Sequence, residues 1–420
     1  MRVIAFCLLV LAAFPPLCTT ADASQTAPDH ARLYHSHNYF ALRSALARDK
    51  TTDTEQVQFY RAAVMTAFNR SADADRIISA LLLKDSDSPL RPNLLELRMT
   101  NAGRLYNYPQ ALQAARALER IYAKNGDKKK LEDAQNSIRL FGAIRNIPPQ
   151  TVLRRGKSVI EFSTNSGPGK CIPILFEKQR RCYILDSGAN YSVLIRSEAA
   201  HLGLKVIPAG IKVGSSTDAT VTADLAVAPI LRIGNLEYHN VVFLVMPDSV
   251  FTLKDFTIRG ILGYQLYAGM GAIQTHIGKR IDVPANVPNV PVDNIALDDG
   301  DILTEVKVAG HNVLCRLDTG ADRTVFYKSY FDRFRRDVEK QGTAHKVRTA
   351  GAGGIRNYRA YTLPRIVLEF AGHKVSLQKA RVYTEKVVPQ DYLMCNLGLD
   401  VLGKFSSYTI NLKAMSLQLH

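Results

Sequence analysis

With 420 residues, 46% of them hydrophobic, the chain is too long for one ordinary core and apolar enough to fill two or three, which excludes a disordered or fibrous protein. Its formal net charge of +16 is scattered over short runs such as Arg180-Arg181, Arg335-Arg336 and Lys128 to Lys130. It does not form the stripe of basic and aromatic residues that a nucleic-acid groove needs, so no nucleic-acid partner is expected and the charge reads as a solvated basic surface.

Met1-Arg2, the apolar run Val3 to Phe14 and the small residues Ala21 and Ala23 predict a signal peptide over residues 1–23, and hence an exported protein, periplasmic or secreted. The run is too short to cross a bilayer and no comparable stretch follows, so no membrane span is expected. Beyond it lie four cysteines, Cys171, Cys182, Cys315 and Cys395. An even number in an oxidising compartment predicts one or two disulfides, with the pairing left open. No CxxC or Cys/His spacing points to zinc, and the group His30, His35 and His37 lies in a polar segment, so the expectation is no metal and no cofactor.

Residues 24–148 read as an all-α domain, since apolar residues recur three and four apart in "EQVQFYRAAVMTAF" and "ALQAARALERIYA". "YNYPQALQAARAL" (Tyr106 to Leu118), with the helix before it from Leu94, resembles the second helix of a tetratricopeptide-type hairpin, and "SADADRIISALL" at Ser71 repeats it faintly. The resemblance implies either a protein partner for this domain or simple packing against its neighbour.

At Arg145 to Thr151 the paired prolines Pro148 and Pro149 end the helical pattern, and short alternating stretches rich in Val, Ile, Thr and Tyr take over. The proline-rich residues 284–294 have neither helical nor strand period and read as a linker between two β lobes, residues 152–283 and 295–420. The two lobes repeat each other. "LDSGANYSVL" around Asp186 answers "LDTGADRTVF" around Asp318, 132 positions later (318 minus 186). "GILGYQL" carries Gly263 and "CNLGLDVL" carries Gly398, 135 positions apart (398 minus 263).

Each Asp leaves an apolar strand end where Gly188 or Gly320 allows a sharp turn. A duplicated unit related by an approximate two-fold axis brings Asp186 and Asp318 face to face. Two carboxyls that close cannot both ionise, so they share a proton and titrate as a pair. One then acts as base toward a water while the other acts as acid toward the carbonyl oxygen under attack, with no metal and no covalent intermediate.

The doubled stretch, each copy followed by its later Gly element, resembles the active-site signature of the aspartic proteases, and is most similar to the retroviral, retropepsin-like branch, over residues 158–420. The resemblance implies an all-β bilobal aspartic protease fold, two duplicated β-barrel-like lobes, here preceded by the all-α helical-repeat domain. It implies that Asp186 and Asp318 are catalytic, that Ser187 and Thr319 lock the two loops together, and that Gly263 and Gly398 lie on strands crossing behind them. It assigns a flap that closes over bound peptide to the hairpin with Gly351, Gly353 and Gly354, while the first lobe has only Gly214 in the same place. Asn190 and Asp322 fall at the position that contacts substrate backbone, an amide in one half and a carboxylate in the other. The expected function is endopeptidase action on a peptide or protein substrate. The alternative is an inactive exported peptide-binding or scaffolding protein on the same fold.

Overall fold

The structure, a computed structural model, describes residues 29–49, 54–85, 87–163, 170–214, 220–253, 256–351 and 354–420. The expected leader and Gly353 lie outside them. Within residues 30–144 the described chain forms seven helices: His30–His35, Tyr39–Arg48, Glu55–Ala67, Ser71–Lys84, Arg91–Arg104, Tyr108–Asn125 and Lys128–Ile144. Their starts follow from local chemistry. The side chains of Asn38, Thr54, Asn107 and Asp127 each accept a bond from a backbone N–H in the first turn that has no helical partner. Tyr108–Asn125 stops at Gly126, whose φ of 71° is left-handed and suits glycine. The same helix buries Tyr108, Ala111, Leu112, Ala115, Leu118 and Tyr122, the three-and-four spacing of one face. Among the described residues no helix is long and apolar enough to cross a membrane.

From Thr151 onward the described chain is mostly strand, in two curled eight-stranded sheets, a five-stranded one and a short two-stranded one. In the first large sheet, Thr220–Ile233 and Leu236–Met246 pair along most of their length and fold the sheet back on itself. In the second, Asp301–Val308 pairs with both His311–Leu317 and Gly354–Phe370, which has the same effect. The result is a β-rich, barrel-like region of the kind an aspartic protease has. The five-stranded sheet joins the two: Ala272–His276 pairs antiparallel with Ser407–Asn411, so strands from either side of residues 284–294 share one ladder.

The helices are not an independent appendage. Ala102, Tyr108, Ala111, Leu112, Phe141 and Ile144 form one apolar cluster with Val193, Ile211, Val242 and Leu244 of the first large sheet. Near it, Asn136 pairs with the backbone of Lys212 in both directions, its Nδ2 donating to the carbonyl at 2.8 Å and its Oδ1 accepting from the amide at 2.8 Å. Lys212 lies on Val206–Gly214, the last strand of that sheet, so the amide side chain covers part of an otherwise open strand edge. On the other side, Arg43 pairs with Asp293 at 2.7 Å, and His37 Nδ1 lies 2.9 Å from Asp298. Asn69 Nδ2 donates to the carbonyl of Leu412 at 2.9 Å. His37, read from the sequence as part of a polar segment, is stacked on Tyr392 with ring centroids 4.0 Å apart.

Candidate active site

Two matching strand arrangements place the doubled motif. In the first large sheet, Gly260–Leu262 runs parallel to Gln179–Leu185 on one side and antiparallel to Ser192–Ile195 on the other. In the second, Cys395–Leu397 runs parallel to His311–Leu317 and antiparallel to Val325–Phe326. Asp186 and Asp318 are the first residues past the two parallel strands, and each donates its amide to the neighbouring strand, to Leu262 at 3.0 Å and to Leu397 at 2.9 Å. The carboxylates are thus carried by buried, fully paired β-structure.

The two loops interlock. The amide of Ser187 donates to Thr319 Oγ1 at 3.0 Å, and the amide of Thr319 donates to Ser187 Oγ at 3.0 Å. Ser187 Oγ also donates to the carbonyl of Leu317 at 3.2 Å, and Thr319 Oγ1 faces that of Leu185 at 3.5 Å. Both hydroxyls are buried, so each bond lost leaves an unpaired polar group, which is costly. Tyr267, from the helix Tyr264–Met270, adds its hydroxyl to Thr319 Oγ1 at 3.0 Å, a contact on one side of the pair only.

Behind the loops, Gly263 and Gly398 are the residues that end the central strands and cap the short helices Tyr264–Met270 and Leu399–Leu402. Their backbones approach the loops so closely that a Cβ would lie 2.6 Å from the carbonyl oxygen of Ala189 and 2.7 Å from that of Ala321. The amides of the following residues, Tyr264 and Leu399, donate to those same oxygens at 2.8 Å. Sequence reasoning missed Ser192 and Thr324, six positions beyond each Asp (192 minus 186; 324 minus 318), whose hydroxyls accept from the amides of Gly263 and Gly398 at 3.0 Å. The repeated offset was the available signal.

The carboxylates are brought together by the glycines. The Cα of Gly320 faces Asp186, where an added Cβ would lie 2.5 Å from Cγ; that of Gly188 faces Asp318, where it would lie 2.8 Å from Cγ. Each Asp therefore rests against the opposite loop's glycine. Oδ1 of each accepts from the amide two residues on, Gly188 at 2.8 Å and Gly320 at 2.9 Å. Burial, then the charge of Asp318 and a side-chain hydrogen bond with it, push the Asp186 carboxyl up to about 7, against the pull of the Gly188 amide.

That shift predicts a pH dependence of stability. Between the ordinary Asp value of 3.8 and about 7 the folded chain holds a proton on Asp186 that the unfolded chain has released. Raising the pH through this window therefore favours unfolding, by on the order of 2–4 kcal/mol from this group. Urea unfolding at pH 5 and pH 8 is expected to show this loss in the wild type and little of it in Asp186→Asn. Equal slopes in the two proteins would contradict it.

The other expected site residues are more scattered. Asn190 is exposed and lies under Gly300, whose Cβ would meet its Cγ at 3.0 Å. Asp322 is exposed on the equivalent loop. Gly351 and Gly354 pair across the end of the hairpin formed by Thr343–Gly351 and Gly354–Phe370, at the open side of the second sheet. The first sheet has a matching hairpin, Val206–Gly214 with Thr220–Ile233, in which Gly214 pairs with Thr220.

Residues 172–266 match the family model for aspartyl protease. The matched segment contains Asp186, Gly188 and Gly263, and Asp318 lies beyond it. No curated protein matches the chain. The match supports a peptidase acting on a peptide substrate.

Proposed function

We propose that the protein is an exported aspartic endopeptidase of retropepsin-like type. Its two β lobes, residues 152–283 and 295–420, are copies of one unit, and Asp186 and Asp318 are its catalytic dyad. The observation that carries this reading is the reciprocal seating of each carboxylate on the other loop's glycine, within a lock made by Ser187 and Thr319. Two carboxyls so placed retain one proton between them near neutrality. The ionised member takes a proton from water as its oxygen attacks the peptide carbonyl, and the protonated member gives its proton to the carbonyl oxygen. Substrate lies extended between the two terminal hairpins, its backbone bonded by them and by Asn190 and Asp322. Export is supported by the leader-like residues 1–23 and by two cystines, Cys171–Cys182 and Cys315–Cys395, which persist in oxidising compartments. Residues 24–148, joined to both lobes, serve as a partner-binding or bracing domain, and 284–294 as the connection between lobes.

The test is digestion of a peptide library at several pH values by the wild type and by the single variants Asp186→Asn and Asp318→Asn. A chain that binds a pepstatin-like mimic but cleaves nothing would instead be a peptide-binding protein. A second variant probes the geometry. Gly320→Ala puts a methyl group where the Asp186 carboxyl stands, 2.5 Å from its Cγ. It is expected to lower kcat/KM by about a hundredfold, since a shift of about 1 Å in a catalytic group has that effect, while the urea midpoint falls by about 1–3 kcal/mol equivalent. Full activity in Gly320→Ala would mean that the carboxyl does not work from this position.

A further inference from the structure

The strand pairs that carry the two acids match in geometry and differ in chemistry. Two residues before Asp186 stands Ile184, paired across the ladder with Ile261. Two residues before Asp318 stands Arg316, paired in the same register with Asn396. The apolar pair offers Asp186 no donor. The polar pair is aimed at Asp318: Asn396 Nδ2 donates to its Oδ2 at 2.9 Å and Arg316 Nη2 reaches the same oxygen at 3.4 Å. Arg316 is itself fixed by Nε donating to Asn396 Oδ1 at 2.7 Å and by Nη1 lying 3.5 Å from Asp301 Oδ1. Its side chain is only 18% exposed and that of Asp301 only 10%, so solvent does little to screen the fork.

We propose that Arg316 and Asn396 are positioning residues that break the symmetry of the dyad, holding the negative charge on Asp318 and leaving the shared proton on Asp186. This rests on the peptidase reading of the same site and assigns its two roles. Asp318 is the base: it takes a proton from water as the water oxygen bonds to the carbonyl carbon. Asp186 is the acid: its proton passes to the carbonyl oxygen, giving a neutral gem-diol, so the dyad gains one proton and loses one. On collapse, Asp318 returns its proton to the departing nitrogen, Asp186 recovers one from a gem-diol hydroxyl, and the C–N bond breaks.

The surrounding charges agree with the assignment. Asp186 faces Asp318 and Arg316, and the Gly188 amide. Arg316 faces Asp186, Asp318 and Asp301 together with the Tyr327 hydroxyl, and Asp301 in turn feels Asp298 and Asp299. Tyr267, from the helix behind the loops, bonds Thr319 and not either acid. The one cation in this set sits beside Asp318, and a charge-assisted bond there favours the ionised form of that acid.

The experiment follows the aspartate side-chain carbon signals of 13Cγ-labelled full-length protein from pH 3 to 9, with Asp186→Asn and Asp318→Asn used to assign the two sites. Wild type is expected to show two separate titrations, with Asp186 the last of the two to lose its proton as the pH rises, crossing near about 7. In Arg316→Met the two signals are expected to move together or exchange order, and kcat/KM at pH 5 relative to pH 7 to fall by about tenfold, one pH unit of displacement. Arg316→Lys, which keeps the charge and loses the fork, is expected to restore the order in part. Asp186 ionising before Asp318 in the wild type would overturn the assignment, as would a folded Arg316→Met protein with the wild-type order. Should Arg316→Met not fold, the wild-type order and Arg316→Lys decide the matter. The signals are read without substrate, so failure of the wild type to cleave peptides would count against the peptidase reading and leave this test intact.

Discussion

Asparagine in place of either Asp186 or Asp318 is expected to lower peptide cleavage in mild acid by at least about a thousandfold, because general acid–base assistance of this kind is worth roughly 10²–10⁴ and both functions depend on the pair. An amide nearly preserves the shape but neither takes a proton from water nor gives one to a carbonyl oxygen. The loops are locked together through Ser187 and Thr319, and an Asn Oδ1 can still accept the glycine amide that each Asp Oδ1 accepts, so both variants are expected to fold. The comparison is of kcat/KM on the best library peptide, with circular dichroism and urea unfolding alongside. Activity within tenfold of wild type in either folded variant would rule out that residue as catalytic. Tighter binding of a pepstatin-like mimic by wild type at pH 5 than at pH 8 is the matching expectation, since the mimic prefers the dyad that still holds its proton.

The largest stability effect is expected from the second cystine. Cys315–Cys395 joins adjacent parallel strands and closes a loop of 80 residues, whereas Cys171–Cys182 closes one of 11. Loop-closure entropy assigns about 4–5 kcal/mol to the longer loop and about 3 to the shorter. Cys315→Ser with Cys395→Ser is therefore expected to lower unfolding free energy by about 4 kcal/mol, more than the corresponding change at Cys171 and Cys182. Both cysteines are fully buried, and the next residues in register are Arg316 and Asn396. The loss is therefore expected to reach the site as well as the fold. Urea titration of the two double variants, oxidised and fully reduced, checks the order; a larger loss at the shorter loop would contradict the entropic account.

Much of the candidate site is legible in the sequence because its information is local and written twice. A strand ending on Asp, a hydroxyl residue and Gly, followed by a second glycine at nearly the same distance in each copy, can be seen without coordinates. So can the change at Arg145 to Thr151 from three-and-four spacing to alternation, where helix gives way to strand. Ser192 and Thr324 were readable on the same principle and were overlooked. Arg316 stands two positions before Asp318, but its role is not written locally, because it depends on Asn396, 80 positions away (396 minus 316).

Short-range steric and hydrogen-bonding preferences act between residues a few positions apart, which is why the amino-acid order alone was enough for the helical spacing, the strand texture and the two turning glycines. Contacts between distant segments depend on how sheets curl and on which faces meet, and no local preference encodes that. The tertiary arrangement alone therefore paired Cys315 with Cys395, set Asn136 against the edge strand at Lys212, and brought Arg316 and Asn396 to bear on one carboxylate of the two.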